Sequence, residues 1–492
     1  MSNRSAPEPG NGADRGKWQA FGVCVGVAAL TILDLSKVNV GLPSIEESLG
    51  AGPTELQLIV AGYALAFGLA LVPAGRLGDI RSRRLMFVVG LSLFTLSSLL
   101  CAIAPTVELL VAARILQGVA AGIQMPQVLG LIQQLFTAKE RGRAFGLFGA
   151  TIGVSTAFGP TLGGLLIAIG GPTDGWRLLF WMNIPLGLAA LYFAWRLLPR
   201  GQSKDAEATT LDPVGILLLG LATFTLMLPF LLTTGGPDDD PRRWFSLAVC
   251  AVAVWLFIRW ERRYGESGRS PVLHFGLFRR TSYRNGILLA TAYFGAMPAI
   301  FLLTTLYLQQ GLDIEPVFAG MVSIPFALTS ALTAYYGGRL VDRYGRSLVV
   351  GGLAIVLLGF GLVLVAAIVT PPEVTPWAMS AAMLVAGAGG GFVISPNQTL
   401  TLAEVPVTQG GVAGSMAQVG QRVGTAMGVA VATSTFYATL YEERGGDSIE
   451  VYHDAFRNGL FVALGLMALA LLIGLFDLRE RKKQGRVAPT RD

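Results

Sequence analysis

The sequence predicts an all-α polytopic membrane protein, in which two pseudo-symmetric six-helix bundles are joined by two additional helices, giving about fourteen spans. Three observations predict this fold class. Of the 492 residues, 53% are hydrophobic and only 14% are charged, too few polar side chains for the surface of a soluble protein. Apolar runs of about 20 residues, the length that crosses a bilayer, recur along the chain. Motifs of the first half return in the second half.

The candidate spans are apolar runs separated by short polar connections. In order they are residues 18–42, 56–76, 85–104, 108–134, 144–170, 177–198, 212–233, 244–261, 285–309, 316–338, 347–370, 376–400, 411–439 and 457–477. Basic residues concentrate in alternate connections, for example at Arg81, Arg83, Arg84, Lys139, Arg141, Arg143, Arg343 and Arg346. Because cytoplasmic loops carry the excess of Lys and Arg, both termini are expected in the cytoplasm of a multi-pass cell-membrane protein. The net charge of +6 then reports orientation, and no nucleic-acid partner is expected.

The chain divides into five predicted segments. They are a disordered cytoplasmic tail (1–17), a first six-helix bundle (18–198), a linker with two extra spans and a cytoplasmic interfacial segment (199–284), a second six-helix bundle (285–477) and a basic cytoplasmic tail (478–492). The two extra spans lack charged or amide side chains at membrane depth, which indicates a structural insert. Within the linker, residues 272–280 mix apolar and basic side chains at helical spacing, which predicts a short helix on the inner leaflet.

Two motifs occur in both halves. The stretch GRLGD at residues 75–79 returns as GRLVD at residues 338–342. The run GVAAG before Pro126 is echoed by GAGGG before Pro396. Since the spacing within each half is similar, an internal duplication is the better explanation, with a binding site near the midplane between the two bundles.

The positions of the cysteine and histidine residues argue against disulfides and metal sites. Cys24, Cys101 and Cys250 are far apart in apolar runs, which indicates apolar filler without disulfides or metal. His274 and His453 lie in polar connections without metal-ligand spacing. The sequence also lacks a P-loop and a GxSxG motif. We therefore expect no bound metal, no cofactor and no enzymatic activity.

The first span contains two ionisable residues, Asp34 and Lys37, and Asp34 is the only acid well inside a candidate span. An Asp or Lys at the centre of a spanning helix costs roughly 2.5 to 3.5 kcal/mol, so both need partners, water or a function. Counting about 1.5 Å per residue from the outer helix ends places Arg114 of the fourth span in the same layer. Lys37 either pairs with Asp34 or extends to the external water. Arg422 lies near the mid-depth of the second bundle.

These motifs resemble those of the major facilitator superfamily, and within it the drug:proton antiporter branch with fourteen spans. The first-span stretch LDLSKVNVGLP is similar to that branch's signature, with Lys37 off pattern. Arg114 with Gln117-Gly118 resembles the superfamily's Arg-x-x-Gln-Gly motif. The antiporter motif of the fifth span is matched by Gly146, Ser155, Gly159, Pro160, Gly163 and Gly164, where Ser155 replaces a glycine. The loop motifs imply a conformational latch formed by Gly75, Asp79, Arg83, Gly338, Asp342 and Arg346.

The resemblance implies a proton-driven exporter of amphipathic small molecules, in which protons and substrate are the partners and the proton gradient is the energy source. Asp34 would carry the proton, with Arg114 tuning it and Lys37 as a complication. Candidate cavity residues are Asn39, Tyr63, Gln124, Gln127, Tyr293, Asn397, Gln398, Gln418 and Arg422. We expect a monomer in the lipid bilayer.

Two alternatives stay open at this stage. The charges of Asp34, Lys37, Arg114 and Arg422 sum to −1 + 1 + 1 + 1 = +2, which would favour an anionic or zwitterionic lipid or natural product as cargo. A non-transporting membrane receptor is the more remote alternative.

Overall fold

A computed structural model of the chain describes residues 11–483, apart from 172, 200–211, 234–239, 268, 270, 274 and 444–447. The described residues form fourteen long helices. They are α1 (Asn11–Leu49), α2 (Pro53–Ile80), α3 (Arg83–Ala102), α4 (Val107–Leu135), α5 (Ala138–Gly170), α6 (Gly175–Leu197, with a break at Met182), α7 (Pro213–Leu231), α8 (Ser246–Glu266), α9 (Thr281–Leu306), α10 (Val317–Tyr344), α11 (Arg346–Val369), α12 (Thr375–Leu402), α13 (Gly410–Glu442) and α14 (Ser448–Lys483). Thirteen are long and apolar enough to cross a membrane, and the bent α5 makes fourteen.

The two halves pack in the same way. In the first half α1 packs on α5, and α4 packs on both α2 and α3; in the second half α9 packs on α13, and α12 packs on both α10 and α11. The glycines of the repeated runs occupy equivalent crossings. A Cβ at Gly118 would collide with the carbonyl oxygen of Tyr63, and a Cβ at Gly387 would collide with that of Phe326. Two bundles with internally repeated packing confirm the predicted fold class.

The halves meet along two seams near the membrane end that carries the basic loops, here called the basic face. At one seam α2 packs on α13, where a Cβ at Gly75 would lie 2.7 Å from the carbonyl oxygen of Gly411. At the other seam α5 packs on α10, where a Cβ at Gly338 would collide with the carbonyl oxygen of Gly142. Backbone contact of this kind requires glycine, so the two bundles are tightly closed on the basic face.

The inserted helices α7 and α8 pack on each other, and α7 also packs on α2 and α13. Two buried acids hold the basic ends of the pair. The Asp212 carboxylate accepts from the backbone N–H of Gly215 at 2.9 Å and from Trp260 Nε1 at 2.9 Å, while Glu261 accepts from the backbone N–H of Leu273 at 3.1 Å. Because α7 packs on α2 and α13, the insert lies along the α2–α13 seam. Glu261, at the edge of the predicted span, is only 1% exposed.

Two local predictions are wrong. Helix α1 begins at Asn11, inside the segment predicted to be a disordered tail, because Trp18 packs on Phe136 and Lys17 forms an ion pair with Glu140 at 2.5 Å. Residues 1–10 and the end of the basic tail lie outside the described residues. The predicted helix at 272–280 is a single turn, Gly276–Arg279. Val272 and Leu277 are buried against the bundles, so apolar contact with protein replaces the expected contact with the leaflet.

Candidate functional site

Asp34 and Lys37 lie one turn apart on α1, and both side chains are fully buried. Residues three apart on a helix share a face, so both point toward the interior of the first bundle. Helix α1 contacts α4, α5 and α6 there, which surrounds the two charges with protein on several sides. The cluster is therefore shielded from lipid.

Each oxygen of the Asp34 carboxylate has its own partner. Arg114 Nη1 donates to Oδ2 at 2.7 Å, and Asn183 Nδ2 donates to Oδ1 at 2.7 Å. Lys37 Nζ lies 3.6 Å from Oδ1. The short bond to Arg114 joins α1 to α4, and the bond to Asn183 joins α1 to α6. Charge-assisted bonds of this length are the strong ones, so the carboxylate connects three helices.

Lys37 points inward to the same cluster. Its ammonium donates to Asn183 Oδ1 at 2.6 Å, and the side chain is 0% exposed. This contact answers the choice left open by the sequence, because Lys37 does not extend to external water. Asn183 thus contacts both charges of α1, with its oxygen facing the cation and its nitrogen facing the anion.

The remaining groups of the cluster hold Arg114 in place. Its Nη1 donates to Gln117 Oε1 at 2.6 Å, and Gln117 Nε2 donates to Ser98 Oγ at 2.8 Å. The guanidinium carbon lies 4.2 Å from the centroid of the Tyr63 ring. With Asp34, Lys37 and Arg114 ionised, the cluster carries −1 + 1 + 1 = +1. Loss of the Asp34 charge would leave buried charges without compensation and would destabilise the protein.

Helix α5 packs directly against the backbone that carries the cluster. A Cβ at Gly159 would collide with the Ser36 hydroxyl, and a Cβ at Gly163 would lie 2.9 Å from the carbonyl oxygen of Lys37. Between its segments Glu140–Thr156 and Phe158–Gly170 the helix bends by 41°. Pro160 follows this bend, and it cannot donate a helix hydrogen bond.

The other members of the fifth-span motif have different neighbours. Gly146 faces α10, where a Cβ would lie 2.9 Å from the carbonyl oxygen of Ala334. Ser155 presents its carbonyl oxygen to the Ser36 hydroxyl at 3.4 Å. Gly164 is less crowded, since a Cβ there would lie 3.9 Å from the Val317 side chain. One helix thus contacts the charged cluster on α1 and the seam with the second bundle.

The first loop motif, one part of the predicted latch, lies at the contact between the halves. Asp79 at the end of α2 accepts from Arg83 Nη2 at 2.8 Å and from the backbone N–H groups of Gly411 and Val412 at 3.1 and 3.0 Å. These two N–H groups are at the N-terminus of α13, where the helix dipole favours an anion. Arg83 also donates to the carbonyl oxygen of Val407 at 2.5 Å. The carboxylate and its arginine therefore bridge the seam.

The second loop motif is arranged differently. Arg346 forms an ion pair with Asp477 of α14 and donates to Asn397, whereas Asp342 is exposed at the basic face. Asn285 Nδ2 donates to the other Asp477 oxygen at 3.1 Å. Asp342 therefore does not pair with Arg346 as Asp79 pairs with Arg83, because the buried carboxylate of Asp477 binds the guanidinium. This cluster is internal to the second bundle, and Gly338 is the member of the second copy that lies at the seam.

A sequence model of the major facilitator superfamily matches residues 24–429. The chain belongs to the major facilitator superfamily. The probable actinorhodin transporter of Streptomyces coelicolor is 34% identical over 426 residues, covering 86% of this chain and 73% of that protein. The puromycin resistance protein of Streptomyces alboniger is 32% identical over 468 residues, covering 94% and 90%. The multidrug resistance protein Stp of Mycobacterium tuberculosis is 32% identical over 424 residues, covering 84% and 74%.

Solved structures of other superfamily members share the fold. The proton:xylose symporter XylE superposes with a TM-score of 0.65 at 17% identity, covering 95% of this chain and 96% of XylE. The human organic anion transporter MFSD10 superposes with a TM-score of 0.63 at 15% identity, covering 93% and 99%. The names of the sequence relatives describe antibiotic transport and drug resistance, and the matched family confirms the resemblance of the motifs to the superfamily.

Several predicted cavity residues have structural partners inside one bundle. Gln124 Nε2 donates to Thr31 Oγ1 at 2.7 Å, and Gln127 Nε2 donates to the carbonyl oxygen of Ala74 at 2.8 Å. Asn397 donates to the carbonyl oxygen of Gly286 at 3.0 Å. The amide nitrogens of all three are used in helix packing, whereas the Oε1 atoms of Gln124 and Gln127 have no hydrogen-bond partner among the described residues. Asn39 is exposed and apart from the charged cluster.

The other predicted cavity residues are near open space or have unused polar atoms. Tyr293 and Gln398 line a small cavity of the second bundle. The Tyr63 and Tyr293 hydroxyls and Gln418 Nε2 are buried without a hydrogen-bond partner among the described residues. Arg422 Cζ lies 4.3 Å from the centroid of the Phe67 ring on α2. These groups remain able to contact a bound molecule.

Sequence reasoning missed Asn183, Ser98 and Gln117 as members of the cluster. An amide at the depth of Asp34 is a signal that could have identified Asn183. Ser98 and Gln117 are buried, and each contacts a second member of the network. Gln117 lies three residues from Arg114 on α4, so spacing within the span could have identified it. The contacts of Ser98 with Gln117 and Asn183 join different helices, and spacing within one span does not contain them.

Proposed function

We propose that this chain is a proton-coupled exporter of amphipathic small molecules that works by alternating access. The observation that carries the proposal is the fully buried Asp34 carboxylate, bound by Arg114 at 2.7 Å with Lys37 at 3.6 Å. A buried acid between two cations changes the charge of its surroundings when it takes a proton. Coupled transport needs such a group, whose two states favour different protein conformations.

The charge balance of the cluster supplies the driving step. Protonation of Asp34 would change the cluster from +1 to +2 and remove the negative charge that faces Arg114 and Lys37. Two cations left together in a low-dielectric interior repel strongly, so α1, α4 and α6 would have to rearrange. Deprotonation restores the three-helix connection. Because the three groups interact closely, one exchangeable proton belongs to the cluster as a unit.

Helix α5 can transmit this change to the seam. It contacts the Lys37 backbone through Gly163 and contacts α10 through Gly146. A shift of α1 would therefore press on a helix that also holds the two bundles together. The Asp79 latch closes the α2–α13 seam on the same face. Release of both seams would open the molecule to the basic face.

The cargo proposal draws on the relatives. Their names describe transport of actinorhodin and resistance to puromycin or several drugs, which are varied small molecules. We propose a similar cargo here, with the proton gradient as the energy source and no enzymatic step. The excess of basic residues on one face supports a plasma-membrane orientation with that face and both termini in the cytoplasm.

The experiment is proton flux in proteoliposomes. Purified protein would be reconstituted with a pH-sensitive dye inside, and puromycin, tetracenomycin C and ethidium would be added in turn. We expect at least one compound to move protons in a protein-dependent manner, and Asp34→Asn to abolish that movement. Substrate uptake without any proton movement would contradict the coupling. Binding without uptake would support the receptor alternative.

A further inference from the structure

Two pairs of side chains face each other across the α2–α13 seam. On α2 these are Tyr63 and Phe67, and on α13 they are Gln418 and Arg422, four residues apart in each case. Residues at this spacing lie on one helix face. The contact of Arg422 with the Phe67 ring at 4.3 Å brings the two faces together. Both bundles thus contribute to one patch.

Two members of this patch have buried hydrogen-bond donors. The Tyr63 hydroxyl and Gln418 Nε2 are buried without a partner among the described residues, and the side chains are 0% and 7% exposed. A buried polar group without a partner costs free energy, so such groups point to a ligand or to water. Two of them on facing helices beside an arginine are a stronger indication than one.

Arg422 is a cation without a compensating acid among the described residues. Within the part of the chain that the structure describes, its guanidinium stacks on the Phe67 ring, and no carboxylate forms an ion pair with it. The nearest charged cluster, around Asp34, is itself at +1 and gives no negative charge to share. An arginine stacked on an aromatic ring keeps its N–H groups free for a planar anion.

We propose that Arg422, Gln418 and Tyr63 form a binding subsite for the carboxylate or other oxyanion of an amphipathic substrate. The guanidinium would bind the two oxygens, the Gln418 amide and the Tyr63 hydroxyl would complete the donor set, and Phe67 would contact the apolar body. This inference rests on the proposed export function, and it specifies the substrate as an anion or a zwitterion.

The position of the subsite suits alternating access. Tyr63 also lies beneath Arg114, whose guanidinium carbon is 4.2 Å from the ring centroid. Tyr63 would therefore lie between a substrate anion bound at Arg422 and the proton-coupling cluster. The anion would also compensate the positive charge of Arg422 on α13 and, beyond Tyr63, that of Arg114 on α4. Binding and proton exchange would then influence one another through Tyr63.

The test uses two probes that differ in their only oxyanion, the zwitterion rhodamine 110 and its methyl ester rhodamine 123. Binding to the purified full-length protein in detergent would be measured by fluorescence anisotropy, without a proton gradient. We expect wild type to prefer the acid, and Arg422→Gln to weaken acid binding by about tenfold or more while changing ester binding little. Arg422→Lys should retain part of the preference, and Tyr63→Phe should weaken it modestly.

The matched control is Arg339→Gln, since Arg339 also stacks on an aromatic ring, that of Tyr335, at 4.3 Å but is exposed on the basic face. Size-exclusion profiles would verify that each variant is folded, and Arg422→Lys retains the charge if Arg422→Gln does not fold. The inference is overturned if wild type does not prefer the acid, or if Arg422→Gln weakens both probes equally. Asp34→Asn should keep the preference for the acid probe even where proton coupling is lost. The binding assay therefore tests the anion subsite, and the proton-flux assay tests the proposed coupling.

Discussion

The Asp34 carboxylate and the Arg114 guanidinium, 80 residues apart in the chain, are joined by a 2.7 Å bond between side chains that are 0% and 1% exposed. Burial of such a pair costs desolvation free energy, and removal of one partner after burial is strongly destabilising. Replacement of the pair by apolar residues can be neutral, whereas removal of one partner leaves an uncompensated buried charge. The pair therefore connects stability with the proposed transport cycle, and the two can be measured separately.

Asp34→Asn should abolish uphill, proton-driven transport and also reduce stability. The substitution leaves Arg114 and Lys37 without a counter-charge, and loss of one partner of a buried pair costs about 3–5 kcal/mol. Denaturation in micelles would measure the stability, and counterflow in vesicles would verify that substrate is still exchanged. Asp174→Asn is the control, because Asp174 pairs with Arg177 at 3.0 Å but is 66% exposed. Full uphill activity of Asp34→Asn would rule out Asp34 as the proton carrier.

Lys37→Val should have the opposite effect on stability. It removes the excess positive charge and leaves the neutral Asp34–Arg114 pair, and it introduces an apolar side chain into a buried position. We expect the stability to be unchanged or raised, offset in part by the lost bond from Lys37 Nζ to Asn183. In the same denaturation assay, Lys37→Val should also restore part of the stability lost in Asp34→Asn. A loss as large as that of Asp34→Asn would show that Lys37 is the required partner of the acid.

Asn183→Ala should impair transport although Asn183 carries no charge. The change removes the acceptor of Lys37 at 2.6 Å and a donor to Asp34 at 2.7 Å, two charge-assisted bonds of about 1.5–3 kcal/mol each. Asn458→Ala is the matched control, since Asn458 donates to Thr439 Oγ1 at 3.2 Å in the other bundle and forms no hydrogen bond with a charged group among the described residues. Proton flux and unfolding should both respond to Asn183→Ala. Equal effects of the two variants would remove Asn183 from the coupling cluster.

The fold could be predicted from the sequence because span length, charge alternation and internal repetition are all properties of the chain itself. Depth along each helix was also sufficient to place Asp34 and Arg114 in one layer. The partner of Arg346 could not be predicted in this way, because Asp477 is distant in sequence and lies at the very end of the last predicted span. The packing partners of Gln124 and Gln127 were not predicted for a related reason. A polar side chain in the middle of a span can either line a cavity or bond to a neighbouring helix, and the sequence does not distinguish the two.

Asp477→Asn should destabilise the second bundle more than Asp342→Asn does. Asp477 is 0% exposed and binds Arg346, Arg481 and Asn285, whereas Asp342 is exposed. Removal of the Asp477 charge leaves Arg346 buried without an anion, which costs about 3–5 kcal/mol. Denaturation in micelles should register this loss, while Asp342→Asn should stay within about 0.5 kcal/mol of wild type, as surface changes usually do. If Asp342→Asn destabilised the protein more than Asp477→Asn, Asp342 and not Asp477 would be the acid that stabilises this end of the bundle.

Asp79→Asn should open the basic face. The variant weakens the bonds from Arg83 and from the N-terminus of α13, and a loss of about 2 kcal/mol shifts a two-state equilibrium roughly 30-fold. Opening can be measured by alkylation of Ser415→Cys, because Ser415 is 0% exposed and its hydroxyl donates to the carbonyl oxygen of Leu71 across the seam at 2.8 Å. In a background without Cys24, Cys101 and Cys250, alkylation should be faster with Asp79→Asn. The repeat-related Asp342→Asn should leave the rate unchanged, because that acid does not contact the α2–α13 seam. Equal rates in wild type and Asp79→Asn would show that glycine packing alone closes this face.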